Sequence, residues 1–254
     1  MVVMELNLDH RLLLLLGSPF VGSFLGVLIE RLPAGRPVVL GRSACSQCGH
    51  ALSARDLVPL ASWLVNRGRC RYCSGKIPWT CPAIEIAALL IAVWSLAVLP
   101  GWLAWAGCGL GWILLVLGSI DQKWYLLPNV LTGPLAAGGL LVAWLVQPSM
   151  LIHHVAGAAI GFFALTALQW SYRRLRGREG LGAGDARLLG AIGAWVGWQG
   201  LPTILIYAGI SGLLWSVIEA RGSERVTLHT RLAFGPHLCI AAWLAWLYGP
   251  LQIV

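Results

Sequence analysis

Charged residues are scarce in this sequence. Asp, Glu, Lys and Arg make up 11% of its 254 residues, against about a quarter in an ordinary soluble domain. Acids are the scarcer sign, ten against 18 Lys and Arg, while hydrophobic residues account for 58%. This excess of apolar residues excludes an ordinary soluble domain and predicts a membrane protein.

The N-terminus also lacks the features of a cleavable signal peptide. Glu5 and Asp9 precede the leucine run, and the apolar stretch continues to Ile29 without an A-x-A-like cleavage site. We interpret it as a retained first membrane span.

Eight apolar stretches approach or reach the length of about 20 residues that a helix needs to cross a bilayer. They lie near residues 12–30, 82–99, 102–120, 126–147, 151–170, 186–200, 202–219 and 232–250. The predicted fold class is therefore an all-α polytopic membrane protein with about eight transmembrane helices.

The basic residues lie on alternate connections between these predicted spans. If the chain crosses the bilayer at every span, all Lys and Arg except Arg11 fall on one side. Because basic connections stay in the cytoplasm, that side is predicted to be cytoplasmic and both termini periplasmic. The net charge of +8 is then a topology signal. No nucleic-acid partner is expected, because these residues form no compact basic face.

One connection, residues 31–80, is long and holds four of the seven cysteines as two CxxC pairs. Cys45 and Cys48 form the first pair, and Cys70 and Cys73 form the second. Two such pairs are typical of a closed four-sulfur zinc site, whereas disulfides are disfavoured in the reducing cytoplasm. We predict a small zinc-binding cytoplasmic loop domain between the first two spans, with metal binding supplying much of its folding free energy.

Acids that border the predicted spans are candidates for function, because an ionisable group is costly to desolvate there. They are Glu85, Asp121, Asp185 and Glu219. Asp121 follows the third span and Asp185 precedes the sixth, so the predicted topology puts both at the cytoplasmic edge of the bilayer. Two carboxyls that share a proton there would form an aspartic-protease dyad. Glycines at 180, 182 and 184 would leave room for a peptide beside Asp185.

Spacing alone leaves other roles open for these two aspartates. Each could cap a helix, as Asp185 would at the start of a span, or pair with a nearby cation such as Lys123 or Arg187. The same acids would also serve a proton-coupled transporter.

Seven segments, in this order, resemble the bacterial type IV prepilin peptidases, which cleave and N-methylate type IV pilins and type II secretion pseudopilins. They are GSFLGVLIERLP (22–33), RSACSQC (42–48), DLVPLASWLVNRGRCRYC (56–73), PAIE (82–85), DQKWYLLPN (121–129), GAGDARLLGAIGAWVGW (182–198) and FGP (234–236). The resemblance covers nearly the whole chain. It implies a multi-pass protein of the bacterial inner membrane with its active site at the cytoplasmic face.

The resemblance also implies roles for individual residues. Asp121 and Asp185 are the catalytic aspartates, and the four CxxC cysteines bind zinc in the loop associated with methyl transfer. The peptidase cuts after the glycine that ends a short basic leader, and S-adenosylmethionine then methylates the new amino group. The implied domains are the first transmembrane helix (1–30), the zinc-binding loop domain (31–80) and a seven-helix aspartyl peptidase domain (81–254).

Residues for the methyl-transfer half are also suggested. Gly68 and Arg69 resemble the family's glycine–basic step, whose backbone amides would bind the cofactor's carboxylate. Glu85 is a further candidate for the cofactor site. Glu30 and Glu85 are also candidates to orient or deprotonate the substrate amine, which needs only modest help because its ordinary pKa is near 8.

The sequence departs from the family pattern at three positions. Gly26 stands where the family usually has Asn, Asn129 where it commonly has Asp, and Arg187 where it usually has Lys. The change at Gly26 leaves open a peptidase with impaired methyl transfer. A scaffold of a secretion machine, or an archaeal preflagellin peptidase, would share only some of these motifs.

Overall fold

The computed structural model describes residues 8–39, 41–177, 182–222 and 233–249. Over these residues the chain forms eight α-helices and two short 3₁₀-helices, with no β-structure beyond two isolated bridges. The helices are α1 (Leu8–Arg31), α2 (Ala61–Val65), α3 (Thr80–Val98), α4 (Leu103–Trp124), α5 (Asn129–Val146), α6 (Leu151–Arg176), α7 (Ala183–Gly222) and α8 (Gly235–Tyr248). The predicted all-α class is confirmed.

Six of these helices are long and apolar enough to cross a membrane, namely α1 and α3 to α7. The chain is a multi-pass membrane protein. The spans predicted at 186–200 and 202–219 correspond to two helical segments of α7, which are joined by a kink at Gly197 (φ 72°, ψ 175°), where the backbone is not helical. The last predicted span contains the 14-residue α8, which at 1.5 Å per residue reaches about 21 Å.

Some residues used in the sequence-based predictions lie outside the described ranges. These are Glu5, Arg178, Gly180, Arg225 and Arg231, together with residues 232 and 250 at the ends of the last predicted span.

The chain divides into two compact units, residues 1–116 and 117–254. In the first unit, α1 packs against α3. A Cβ atom on Gly22 of α1 would lie 2.7 Å from the Cα of Glu85, so glycine is required for this close approach. Leu14, Ala92 and Cys108 form a buried apolar cluster that adds the first part of α4 to the pair.

In the second unit, α7 packs against α5, α6 and α8. Its contact with α6 is made by glycines on both helices. A Cβ atom on Gly157 of α6 would lie 2.5 Å from the carbonyl oxygen of Gly193, and one on Gly161 would lie 2.7 Å from that of Leu189. Membrane helices commonly use small residues in this way to bring their backbones together, so these glycines set the distance between α6 and α7.

We expect Gly157→Ala to lower the unfolding temperature of the purified protein in detergent. The new methyl group would meet backbone atoms of α7, which cannot move aside, and overpacking of this kind costs about 1–3 kcal/mol. Gly209→Ala is the matched control, because a Cβ atom there meets nothing within 4 Å and alanine favours the helix. An unfolding temperature for Gly157→Ala at or above that of the control would contradict this account.

Candidate active site and metal-binding loop

Asp121 lies in the last turn of α4, where its side chain is buried, with 6% of the residue exposed. The backbone N–H of Gly235, the first residue of α8, donates to its Oδ2 at 2.9 Å. A Cβ atom on Gly235 would lie 2.6 Å from the same oxygen, so a larger residue would push the carboxyl away. The N-terminus of α8 therefore holds this carboxylate, as helix N-termini commonly hold anions.

Asp185 lies in the first turn of α7 and is also 6% exposed. Its Oδ2 accepts a hydrogen bond from the N–H of Gly182 at 3.1 Å, and its own N–H donates to the Gly182 carbonyl. One carboxylate oxygen thus caps the start of α7. Capping and catalysis are compatible here, because a carboxylate has a second oxygen.

The first turn of α7 also contacts the start of α5 and the residues just before it. Arg187 Nη1 donates to Asn129 Oδ1 at 2.6 Å, so two positions that depart from the family pattern are in contact with each other. Gly184, expected to leave room for a substrate, instead faces Leu127, whose Cβ would lie 2.8 Å from a Cβ on the glycine. These contacts fix the start of α7 beside residues 127–129.

The fold brings Asp121 and Asp185 together. Their carboxyl groups are close enough for their charges to repel, and both charges also act on the buried thiol of Cys239 in α8. In a pair of neighbouring buried carboxyls, one can accept a proton from water while the other donates one. Neither Cys239 nor Gly235 stands out in the sequence, because Cys239 lies within an apolar stretch and Gly235 occurs only within the FGP motif.

In the first unit, the four predicted metal ligands form a cluster. The Sγ atoms of Cys45, Cys48, Cys70 and Cys73 all lie within 4.8 Å of one another, and those of Cys45 and Cys73 are 3.9 Å apart. A tetrahedral zinc ion with 2.3 Å bonds holds its sulfurs about 3.8 Å apart. The cluster therefore has the composition and dimensions of a four-sulfur metal site.

The two CxxC segments have the same backbone structure. The Cys45 N–H donates to the His50 carbonyl at 2.9 Å, and the Cys70 N–H donates to that of Gly75 at 2.7 Å. An isolated antiparallel bridge closes each turn, Ala44 with Ala51 and Arg69 with Lys76. The sequence shows this repeat only through its cysteines.

Backbone N–H groups near Cys45 favour the thiolate form of this one cysteine. Hydrogen bonds from the backbone of Cys48 and then of Gln47 lower the pKa of Cys45 to about 6. Because the thiolate is the form that binds metal, these N–H groups prepare the cluster for a cation.

The residues suggested for cofactor binding each have their own surroundings in the structure. Gly68 has φ 67°, and a Cβ atom on it would lie 3.0 Å from the Trp63 ring. The Trp63 Nε1–H is buried and has no hydrogen-bond partner among the described residues. Arg69 is exposed, and its Nη1 donates to the Ser74 carbonyl at 3.4 Å. Glu85 is buried in α3 and accepts a hydrogen bond from the Leu60 N–H at 2.7 Å.

Comparison with known proteins matches both halves of the chain. The Bacterial Peptidase A24 N-terminal domain matches residues 16–99, and the Type IV leader peptidase family matches residues 108–217. No solved structure matches.

Curated relatives named prepilin leader peptidase/N-methyltransferase align over most of their length. One from Aeromonas salmonicida (strain A449) is 37% identical over 93% of this chain and 90% of its own. One from Dickeya chrysanthemi is 39% identical over 90% of this chain and 89% of its own length. One from Pseudomonas putida is 34% identical over 90% of this chain and 87% of its own length. With these identities, and with both family models matched, the chain belongs to the type IV leader peptidase family.

Proposed function

We propose that this protein is a bifunctional membrane enzyme that cleaves prepilins or pseudopilins and methylates the product. The peptidase removes the basic leader, and the methyltransferase then transfers a methyl group from S-adenosylmethionine to the new N-terminus. The observation that carries the peptidase assignment is the burial of Asp121 and Asp185 close enough for their charges to repel. The names of the relatives include both activities.

In the proposed cleavage step, one carboxylate takes a proton from a water molecule, and the water oxygen attacks the carbonyl carbon of the scissile bond. The other, protonated carboxyl donates to the carbonyl oxygen, and the departing amine takes up a proton as the peptide bond breaks. The N–H of Gly235 donates to Oδ2 of Asp121, and the N–H of Gly182 donates to Oδ2 of Asp185. We assign Oδ1 of each carboxyl to the shared proton and the water.

We place this site at the cytoplasmic face of the inner membrane, with both termini in the periplasm. The end of α4 and the starts of α7 and α8 meet around the two carboxyls, and the basic connections follow α4 and precede α7 and α8 in the sequence. A basic leader is soluble in the cytoplasm, whereas the apolar helix of a pilin stays in the bilayer. The scissile bond between them would then lie at the depth of Asp121 and Asp185.

For methyl transfer, we propose that the four-cysteine cluster binds structural Zn²⁺ and orders the loop domain 31–80 between the first helix (1–30) and the peptidase domain (81–254). S-adenosylmethionine would supply the methyl group. The buried N–H of Trp63 needs an acceptor, and it lies beside Gly68 and near the second cysteine pair. A donor in this position fits the carboxylate of that cofactor, which Arg69 would also attract.

Asp121→Asn and Asp185→Asn should each abolish cleavage. An amide cannot accept the proton of the attacking water or share one with the other carboxyl, and such acid–base steps contribute about 10²–10⁴-fold. Intact-mass spectrometry of a prepilin incubated with each purified variant measures the loss of the leader. Asp9→Asn, at an exposed position in α1, is the control and should cleave normally. Cleavage by either of the first two variants at the control rate would refute the catalytic assignment.

Gly235→Ala should slow cleavage about 100-fold, since its methyl group displaces the Asp121 carboxyl and misplacement by about 1 Å costs that much. Cleavage rates of folded, monodisperse protein would be compared with those of Gly209→Ala, where a Cβ atom meets nothing within 4 Å. Equal rates for the two variants would show that the Gly235 N–H does not position Asp121.

Native mass spectrometry should find one zinc ion per chain, and Cys48→Ser should lose it. We expect this variant to lose methyl transfer while it retains cleavage, because the cysteines and the carboxyls belong to separate units. Cys81→Ser, an exposed cysteine outside the cluster, is the matched control and should keep both activities. Zinc retained by Cys48→Ser, or methylation without zinc, would contradict the assignment.

The same mass readout, with and without S-adenosylmethionine, tests whether Gly26 impairs methyl transfer. Loss of the leader without the added methyl group would identify a peptidase alone. Gly26→Asn is then the variant of interest, because a Cβ atom at this position meets nothing within 4 Å. Methylation that appears only in this variant would assign the defect to the missing side chain.

A further inference from the structure

Leu60, just before α2, has an unusual backbone conformation. Its dihedral angles are φ 59° and ψ −50°, a region that residues with side chains rarely adopt. The Ala61 N–H donates to the Pro59 carbonyl at 2.5 Å, so residues 59–61 form a tight γ-turn. A strained turn of this kind persists only where its surroundings hold it in place, and such strain is concentrated at functional sites.

The carboxyl group of Glu85 holds this turn. Its Oε2 accepts the Leu60 N–H at 2.7 Å, and the Ser23 hydroxyl of α1 also hydrogen-bonds to it. Glu85 is 9% exposed, and the α1 backbone at Gly22 lies against its Cα. A carboxylate this buried requires polar partners, and one of them is a backbone group of the loop.

The position of Glu85 in α3 argues against a simple helix-start charge. The helix begins at Thr80, and its first turn contains no acid. The carboxyl instead reaches out of the α1–α3 pair to a residue 25 positions earlier in the chain. Its hydrogen bond to Leu60 therefore indicates a function in the loop.

Hydrogen bonds continue from the strained turn to the second cysteine pair. Helix α2 follows the turn directly, and the Gly68 N–H donates to the Trp63 carbonyl at 2.8 Å. The Ile77 N–H donates to the Gly68 carbonyl at 2.8 Å on the far side of the pair. Displacement of the turn would therefore displace Gly68, Trp63 and the cysteines that follow.

We propose that Glu85 is a positioning residue that docks the metal-binding loop onto the α1–α3 pair by holding the Leu60 N–H. It thereby sets the place of the second cysteine pair relative to the membrane helices. The docking itself is independent of what the loop does, whereas its consequence for methyl transfer rests on the proposed function. Glu85 need not touch the cofactor or the reacting atoms for this role.

The direct test is hydrogen exchange of the Leu60 amide in the full-length, zinc-loaded protein in detergent. In Glu85→Ala, we expect this amide to exchange about tenfold faster or more, because a charged hydrogen bond is lost. Glu85→Gln keeps an acceptor oxygen and should restore part of the protection. Glu219→Gln, at an exposed acid of α7, should exchange like the unmodified protein. Unchanged exchange in Glu85→Ala would overturn the proposal.

Zinc content and the two activities separate docking from general stability. We expect Glu85→Ala to keep one zinc ion per chain and normal prepilin cleavage, while methylation of a pre-cleaved pilin falls about tenfold or more and recovers in part in Glu85→Gln. Loss of zinc, or an equal loss of both activities, would overturn the proposal in favour of a general folding role. If the unmodified protein neither cleaves nor methylates, the proposed function fails, and the exchange measurement still decides the docking.

Discussion

Two buried carboxyl groups whose charges repel each other are the constraint on which the second unit depends. Their repulsion and desolvation both oppose the arrangement, so the surrounding backbone has to compensate. It does so with the N–H groups of Gly235 and Gly182, each at the start of a helix. Because the backbone provides these donors, the site requires glycine at 235, where a side chain would collide with Asp121.

Helix α7 connects the carboxyl pair to the other helices of the unit. Its first turn carries Asp185, and its glycine-lined contact with α6 limits how far that turn can move. The pair of Arg187 and Asn129 fastens the same turn to the start of α5. The amide oxygen at 129 accepts a hydrogen bond from the guanidinium at 187, so the two departures from the family pattern are chemically consistent with each other.

Local patterns in the sequence were sufficient to predict the membrane helices and the cysteine cluster, because apolar length and CxxC spacing each act within one segment. The proximity of Asp121 and Asp185 also followed from the predicted topology. Contacts that join two distant segments could not be predicted. Nothing near Gly157 indicates that Gly193 lies against it, and leucine is not a residue that suggests the positive φ found at position 60. The short α8 was predicted as a full span because its apolar flanks extend the pattern.

The two chemistries depend on different physical interactions. The loop around the cysteines has few large apolar residues, so we propose that its order depends on metal binding by the cysteine cluster and on the hydrogen bond between Glu85 and Leu60. The aspartate pair depends on helix packing and helix N-termini. Each site finds its stabilising contacts within its own unit, so a change such as Gly26, in the first unit, leaves every contact described for the carboxyl pair in place. This separation gives a physical reason why methyl transfer can vary in such an enzyme while peptide cleavage is retained.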